Sequence, residues 1–253
     1  SFGGQQSDRA LDVEVDSQGN ILLCGFYTEF IDFGGGISLN SEGGQDAFLL
    51  KLDSDGNPLW ARSFGSSMNS DRSNAVAVDS LGNVFFAGQF SGDASFDGFN
   101  IHADDGTVDA FLVKYDPTGE VVWVKHGKGE GLERIMSCAT DQEGAVFIAG
   151  QFSGDMSFDV PYSNNVLNAV FVVKFSSDGN EEWFRSAGGT EESIAYGITS
   201  DGSNAYVTGD FGSSISILGA GIPITLDSEF ANSIFIFSFD SEGDLNWSKS
   251  QGS

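Results

Sequence analysis

The stretch Asp46-Ala47-Phe48-Leu49-Leu50-Lys51-Leu52-Asp53-Ser54-Asp55-Gly56-Asn57-Pro58-Leu59-Trp60-Ala61-Arg62 decides the fold. Two runs rich in strand-forming residues, 47–52 and 59–62, flank a segment of Asp, Ser, Gly and Asn. Apolar and aromatic runs of this length read as strands. Between them, Asp opens a turn with a side-chain acceptor and Gly supplies the positive φ of a short hairpin loop. The stretch then recurs. Its tryptophan returns at Trp123, Trp183 and Trp247, spacings of 63, 60 and 64 residues. Its phenylalanine, twelve residues before each Trp, returns at Phe111, Phe171 and Phe235. A glycine ending an apolar run recurs at Gly25, Gly88, Gly150 and Gly209. Three markers in one period define repeats 1–62, 63–125, 126–185 and 186–249, with 250–253 opening a fifth.

Upstream of the hairpin each repeat carries two further runs, 13–15 and 21–25 in the first, joined by Asp16-Ser17-Gln18-Gly19-Asn20. Equivalent turns lie at 79–83, 116–120, 141–145, 176–180, 200–204 and 240–244. A longer Gly/Ser/Asp-rich stretch of variable sequence separates the second run from the third and reads as loop. No segment has helical periodicity. Four antiparallel strands per repeat predict an all-β protein: a β-propeller of four four-stranded blades, the Trp strand outermost or next to it. A β-solenoid or a string of small sandwiches fits less well, because a lone four-stranded sheet leaves one apolar face wet. Both ends are cut in the same phase of the repeat, so the reading expects these repeats to belong to a longer chain or an oligomeric ring.

The residues 46–53, 56–65 and 75–88 resemble the bacterial repeat called SBBP, for seven-bladed β-propeller. The resemblance runs through all four repeats and rests on structural residues. It implies a place in a large secreted or surface protein and brings no shared catalytic motif. The fourth repeat departs most, with Ser238 in place of the Lys and Asp201-Gly202-Ser203 shifting its first turn.

Of 253 residues, 40% are hydrophobic and 13% aromatic, too many for a disordered chain. Eleven Lys and Arg against 37 Asp and Glu give a net charge of −26, which repels phosphate backbones and anionic lipid heads. A nucleic-acid partner is therefore not expected. No apolar run approaches the roughly 18 residues of a membrane span, so no membrane insertion is expected. Cys24 and Cys138 sit in strand-like runs and read as buried, unbridged thiols.

The basic residues fall on repeat positions: Lys51, Lys114 and Lys174; Arg62, Lys125, Arg185 and Lys249; Arg9, Arg72 and Arg134, each of the last three preceded by an acid. Only Lys128 stands apart. A binding site breaks repeat symmetry, so these cations read as ion pairs and solvated caps. His102 and His126 belong to no metal or nucleophile motif. The turn 53–57 superficially resembles the start of a calcium loop, but hairpin chemistry accounts for it. The weak calcium candidates are Asp93, Asp97, Asp155 and Asp159, in a Phe-Ser-Gly-Asp-x-Ser-Phe-Asp motif shared by repeats 2 and 3. An edge turn capped by Asp is the simpler account, and no cofactor is expected. Asp12 and Glu14 alternate onto one strand face and could line a channel; Phe99 and Tyr162 are the first candidates for stacking on a sugar. The reading favours a non-enzymatic extracellular or cell-surface module with a structural or interaction role and a protein or glycan partner. The alternative is a carbohydrate-binding or carbohydrate-active propeller with its site in the variable loops.

Overall fold

The computed structural model describes residues 2–67, 70–163, 168–218, 224–228 and 233–251. The chain is all-β, with no helix among the described residues, and separates into two compact units, Ser1–His126 and Gly127–Ser253. In the first unit, β1 (Arg9–Val15), β2 (Ile21–Gly34), β3 (Ile37–Leu52) and β4 (Pro58–Phe64) pair in that order. Next come β5 (Arg72–Val78), β6 (Val84–Phe90), the hairpin β7 (Asp93–Phe96) and β8 (Phe99–His102), β9 (Asp109–Tyr115) and β10 (Val121–Gly129), with order β5-β6-β9-β10. The second unit holds β11 (Arg134–Thr140), β12 (Val146–Phe152), β13 (Met156–Ser157), β14 (Pro161–Tyr162), β15 (Ala169–Phe175) and β16 (Glu181–Gly188). It ends with β17 (Ser193–Ser200), β18 (Ala205–Phe211), β19 (Ser214–Leu218), β20 (Ile224–Asp227), β21 (Ser233–Phe239) and β22 (Leu245–Gln251). There β11-β12-β15-β16 continues into β19-β20 as a six-stranded sheet, β17-β18-β21-β22 has four strands, and β13 and β14 add beyond β10, so that sheet also has six strands, β5-β6-β9-β10-β13-β14. All the strand pairs of these sheets are antiparallel, consistent with a propeller-like fold. The Trp strands β4 and β22 are outermost as expected, but β10 and β16 are not, because a short hairpin of the following repeat pairs with each and puts strands of two repeats in one sheet.

The five-residue turns work as their sequence demands. In 53–57, the Asp53 amide donates to the Asn57 carbonyl and Gly56, at φ 82°, donates to the Asp53 carbonyl. Asp53 Oδ1 accepts the amides of Asp55 and Asn57, and its other oxygen accepts the Asn57 side chain. These donors, led by the Asn57 side chain, hold its carboxyl below the usual range. The same pattern repeats at 16–20, 79–83, 116–120, 141–145 and 240–244. The calcium-like spelling is turn chemistry. In the fourth repeat the turn slides by one residue, Asp201 donating to Asn204.

Two sequence markers prove to be one device. Gly25, Gly88, Gly150 and Gly209 stand directly opposite Phe48, Phe111, Phe171 and Phe235 across the sheet. A bulge in the first strand of each set throws a carbonyl onto that glycine. A Cβ there would lie 1.8–2.0 Å from the carbonyl oxygen of Arg9, Arg72, Arg134 or Ile194. Only glycine fits.

The variable stretches are more ordered than expected. β2 and β3 extend through theirs into one long hairpin, β7–β8 forms a separate one, and the hairpins β13–β14 and β19–β20 pair with β10 and β16. The β7–β8 turn is Asp97-Gly98 with both φ positive, 46° and 96°. Asp-Gly between alternating residues is a strong hairpin signal, and here it was masked by the surrounding Ser and Gly.

The apolar core lies between sheets within each unit. In the first, Leu22, Cys24 and Leu49 pack with Val76, Phe86, Phe111 and Val113 of the next sheet; in the second, Phe147, Ala149, Val172 and Trp183 pack with Val207, Phe235 and Phe237. Cys24 and Cys138 are buried, free thiols.

Candidate functional site

Most repeat-position residues are consumed by the fold. Trp60 and Arg62, at the end of the first sheet, grip the turn 116–120 of the second: Arg62 Nε donates to the Gly119 carbonyl at 2.8 Å, and a Cβ on Gly119 would touch the Trp60 ring at 3.1 Å. Trp183 and Arg185 grip 240–244 in the same way, Trp183 Nε1 donating to Ser241 at 2.9 Å and Arg185 Nε to Gly243 at 2.7 Å. A lower tie joins the first strands. Asp12 Oδ2 accepts the Val76 amide at 3.0 Å, and Ser137 Oγ, at the equivalent position, accepts the Ile198 amide at 3.2 Å. Asp12 thus has a structural task, and Glu14 is raised first by burial and then by Asp12 beside it.

Two expectations for the charged residues need correction. Lys51, Lys114 and Lys174 are not solvated: each is under 10% exposed, its stem held within the sheet. The ammonium of Lys51 meets Asp16, which opens the first turn, at 3.0 Å, and that of Lys174 meets Glu182 at 2.9 Å. The acids before Arg9 and Arg72 clamp backbone instead of forming ion pairs. Asp71 Oδ2 accepts the Ser66 amide and hydroxyl, and Oδ1 accepts the Ser91 amide. Asp8 and Glu133 accept the corresponding amides of Thr28 and Ser153; in the fourth repeat Ser193 holds that position, and Glu191, two residues earlier, accepts the Ser213 amide. Burial, with Asp46 nearby, pushes the Asp71 carboxyl up to about 6. Arg72 instead lies 4.8 Å from the Phe26 ring and donates to Gln45.

Most of the unique chemistry lies in the variable hairpins. In the first unit His102 Nδ1 bonds Asp93 Oδ1 at 2.8 Å, with Asp104 at 3.7 Å from Nε2. This exposed cluster borders a groove lined by Glu42, Gly65, Asp93, Ser95, Asn100 and Ile101. Phe99, 46% exposed, lies in the neighbouring strand β8. In the second unit Tyr162 stacks on Phe184 at 3.7 Å and its hydroxyl donates to Glu181. Its ring is therefore committed to packing rather than open for a sugar, and burial and Glu181 raise its phenol.

The four calcium candidates are dispersed. Asp93 is bound to His102, Asp97 forms the hairpin turn, the Asp155 carbonyl accepts the Glu130 amide, and Asp159 exchanges bonds with Glu181. Among the described residues no three His, Cys, Asp or Glu gather into a metal-binding group. Sequence reading left His126 without a role; its Nε2 bonds the fully buried Asp109 at 2.5 Å and its ring packs on Phe90. The available signal was Asp46 and Asp109, one acid at one repeat position, replaced by Ala169 and Ser233 later. Among the described residues no helix is long and apolar enough to cross a membrane.

No family model matches the chain. It is 26% identical over 185 residues to an uncharacterised WD repeat-containing protein of Acanthamoeba polyphaga mimivirus, covering 65% of this chain and 13% of that protein. It is 28% identical over 142 residues to the regulatory protein FlaEY of Caulobacter vibrioides, covering 55% of this chain and 15% of that protein. The chain thus matches only a small part, 13–15%, of the length of these curated relatives. Together with the all-β sheets, these similarities point to a repeat protein of β-propeller type.

Proposed function

We propose that the chain is a non-enzymatic interaction scaffold: a four-bladed propeller region, repeats 1–62, 63–125, 126–185 and 186–249, of an SBBP-type protein at the bacterial cell surface. Each four-strand set is one blade. One observation carries this reading. Most residues with chemistry at repeat positions hold turns, bulges or neighbouring sheets, so unique side chains remain mainly in the hairpins joining second and third strands. Similarity to a WD repeat-containing protein supports a scaffold role. The hairpins are the contact surface, and the Asp93–His102 cluster with its groove is the first place for a protein partner to dock. Footprinting by hydrogen exchange in the presence of extracted surface proteins tests this. Protection confined to 93–102 and its counterparts, lost in the His102→Ala protein, is expected. Protection elsewhere refutes the assignment, as does antibody detection of the protein only inside intact cells. The exposed Phe99 beside the polar groove favours glycan binding as a second reading, and a glycan array comparing wild type with Phe99→Ala decides it.

A further inference from the structure

One asparagine in the sequence is followed at the second position by Ser or Thr: Asn246, in Asp244-Leu245-Asn246-Trp247-Ser248. Asn-x-Ser/Thr, with any residue but proline between, is the acceptor motif of N-linked glycosylation. A three-letter match arises readily by chance, so its meaning depends on whether the carboxamide can be reached.

Asn246 is exposed, two residues past the turn 240–244. It is the extra residue of a β-bulge: Trp247 pairs with Ser238 and Leu245 with Phe239, which leaves Asn246 with no residue opposite it. The exposure belongs to the repeat position and not to the fourth repeat alone. The residue before the Trp is Leu59, Val122 and Glu182 in the others; Leu59 is 48% and Val122 49% exposed, and Glu182 is exposed too. The residue after the Trp is Ala61, Val124 and Phe184, where the fourth repeat has Ser248. Both polar members of the motif thus break the repeat together, on a ground the fold leaves open. The side chain is lightly held. Asn246 Nδ2 donates to Asn204 Oδ1 at 2.9 Å and, at 3.4 Å, to Ser238 Oγ.

We propose that Asn246 is an acceptor site for an N-linked glycan. The inference rests on the surface location proposed above, where lipid-linked sugar donors are used. Nδ2 attacks the anomeric carbon of an oligosaccharide carried on a polyprenyl pyrophosphate. The bond from that carbon to the pyrophosphate oxygen breaks, the pyrophosphate leaves with the electron pair, and one Nδ2 proton passes to a carboxylate of the transferase. Nδ2 keeps one hydrogen, enough for the shorter of its two bonds. Asp244, two residues before, offers the transferase an anionic handle, its side chain 75% exposed and 3.9 Å from Arg185.

Intact-mass spectrometry of the folded 253-residue chain, incubated with a bacterial oligosaccharyltransferase and a polyprenyl-pyrophosphate-linked oligosaccharide of known mass, tests the proposal. Wild type is expected to gain the mass of one oligosaccharide, mapped to Asn246 by fragmentation of the peptide. Asn246→Gln and Ser248→Ala are expected to gain nothing, and Ser248→Thr to be modified like wild type; urea midpoints close to that of wild type show that the variants fold. No transfer to wild type overturns the proposal. So does transfer that survives Asn246→Gln or Ser248→Ala, or transfer to the urea-unfolded chain but not to the folded one. Failed transfer removes the site and leaves the surface location standing. Antibody detection only inside intact cells, by contrast, removes the location and with it the sugar donor, whatever the isolated chain accepts.

Discussion

Asp71→Asn should change the pH dependence of stability in a defined direction. The Asp71 side chain is fully buried, and its donors are the Ser66 amide at 2.6 Å, the Ser66 hydroxyl at 2.9 Å and the Ser91 amide at 2.9 Å. Burial is the largest influence and outweighs these donors, with Asp46 adding to it, so the carboxyl rises from 3.8 to about 6. A carboxyl raised in the folded state binds its proton more tightly there than in the unfolded chain. Stability therefore falls as pH rises from about 4 to about 6, the reverse of a salt-bridged Asp. A rise of about two pKa units corresponds to a cost of about 3 kcal/mol at neutral pH, of which about 2 kcal/mol appears between pH 4.5 and 7.5. Asparagine carries no charge, and its Oδ1 can still accept the Ser91 amide. Its amide nitrogen cannot accept the Ser66 N–H, which costs about 1–3 kcal/mol at any pH. Urea unfolding of both proteins at pH 4.5, 6 and 7.5 separates the two effects. The other 36 carboxyls are common to both proteins and cancel in the difference. The variant is expected to be less stable at pH 4.5 and to recover about 2 kcal/mol relative to wild type by pH 7.5. Parallel stability profiles would falsify the account of Asp71 as a buried, costly anion.

Three further outcomes follow from the packing. Gly88→Ala drives a methyl to 2.0 Å from the Arg72 carbonyl and should destabilise by about 3 kcal/mol or more, read as a lower urea midpoint; a loss under 1 kcal/mol would show that the bulge shifts freely. Trp183→Ala should cost about 3–5 kcal/mol, while Trp247→Ala, at an exposed Trp of the same repeat position, should cost about 1 kcal/mol in dilute solution; equal losses would contradict the difference in burial. Burial pushes the Cys24 thiol up to about 12, so a disulfide reagent should label it only as fast as the protein unfolds, and rapid native labelling would sink that reading.

The repeat was legible because its strongest constraints are local or nearly so. The turn 53–57 is written in five consecutive residues whose acceptor and positive-φ glycine act on each other. The Gly25–Phe48 pair was visible as two recurring letters, although the carbonyl that makes the glycine necessary comes from a bulge no letter marks. What escaped depends on contacts across long separations. Arg62 reads as a surface cation until the turn at 116–120 lies over it, and Asp71 reads as an Arg partner until the amides of Ser66 and Ser91 converge on it. A charge pattern identifies the repeat position; only the three-dimensional neighbour tells a cap from a clamp.

That distinction bears on where function can reside. A carboxylate already holding two backbone amides, or a guanidinium already bonded to a turn carbonyl, cannot engage a ligand without undoing the sheet interface that positions it. Repetition therefore withdraws residues from chemistry: the more often a polar residue recurs at one position, the more of its bonding capacity the fold has taken. His102 and Asp104 escape this, since no other repeat carries them and the cluster they form with Asp93, which recurs as Asp155, faces solvent.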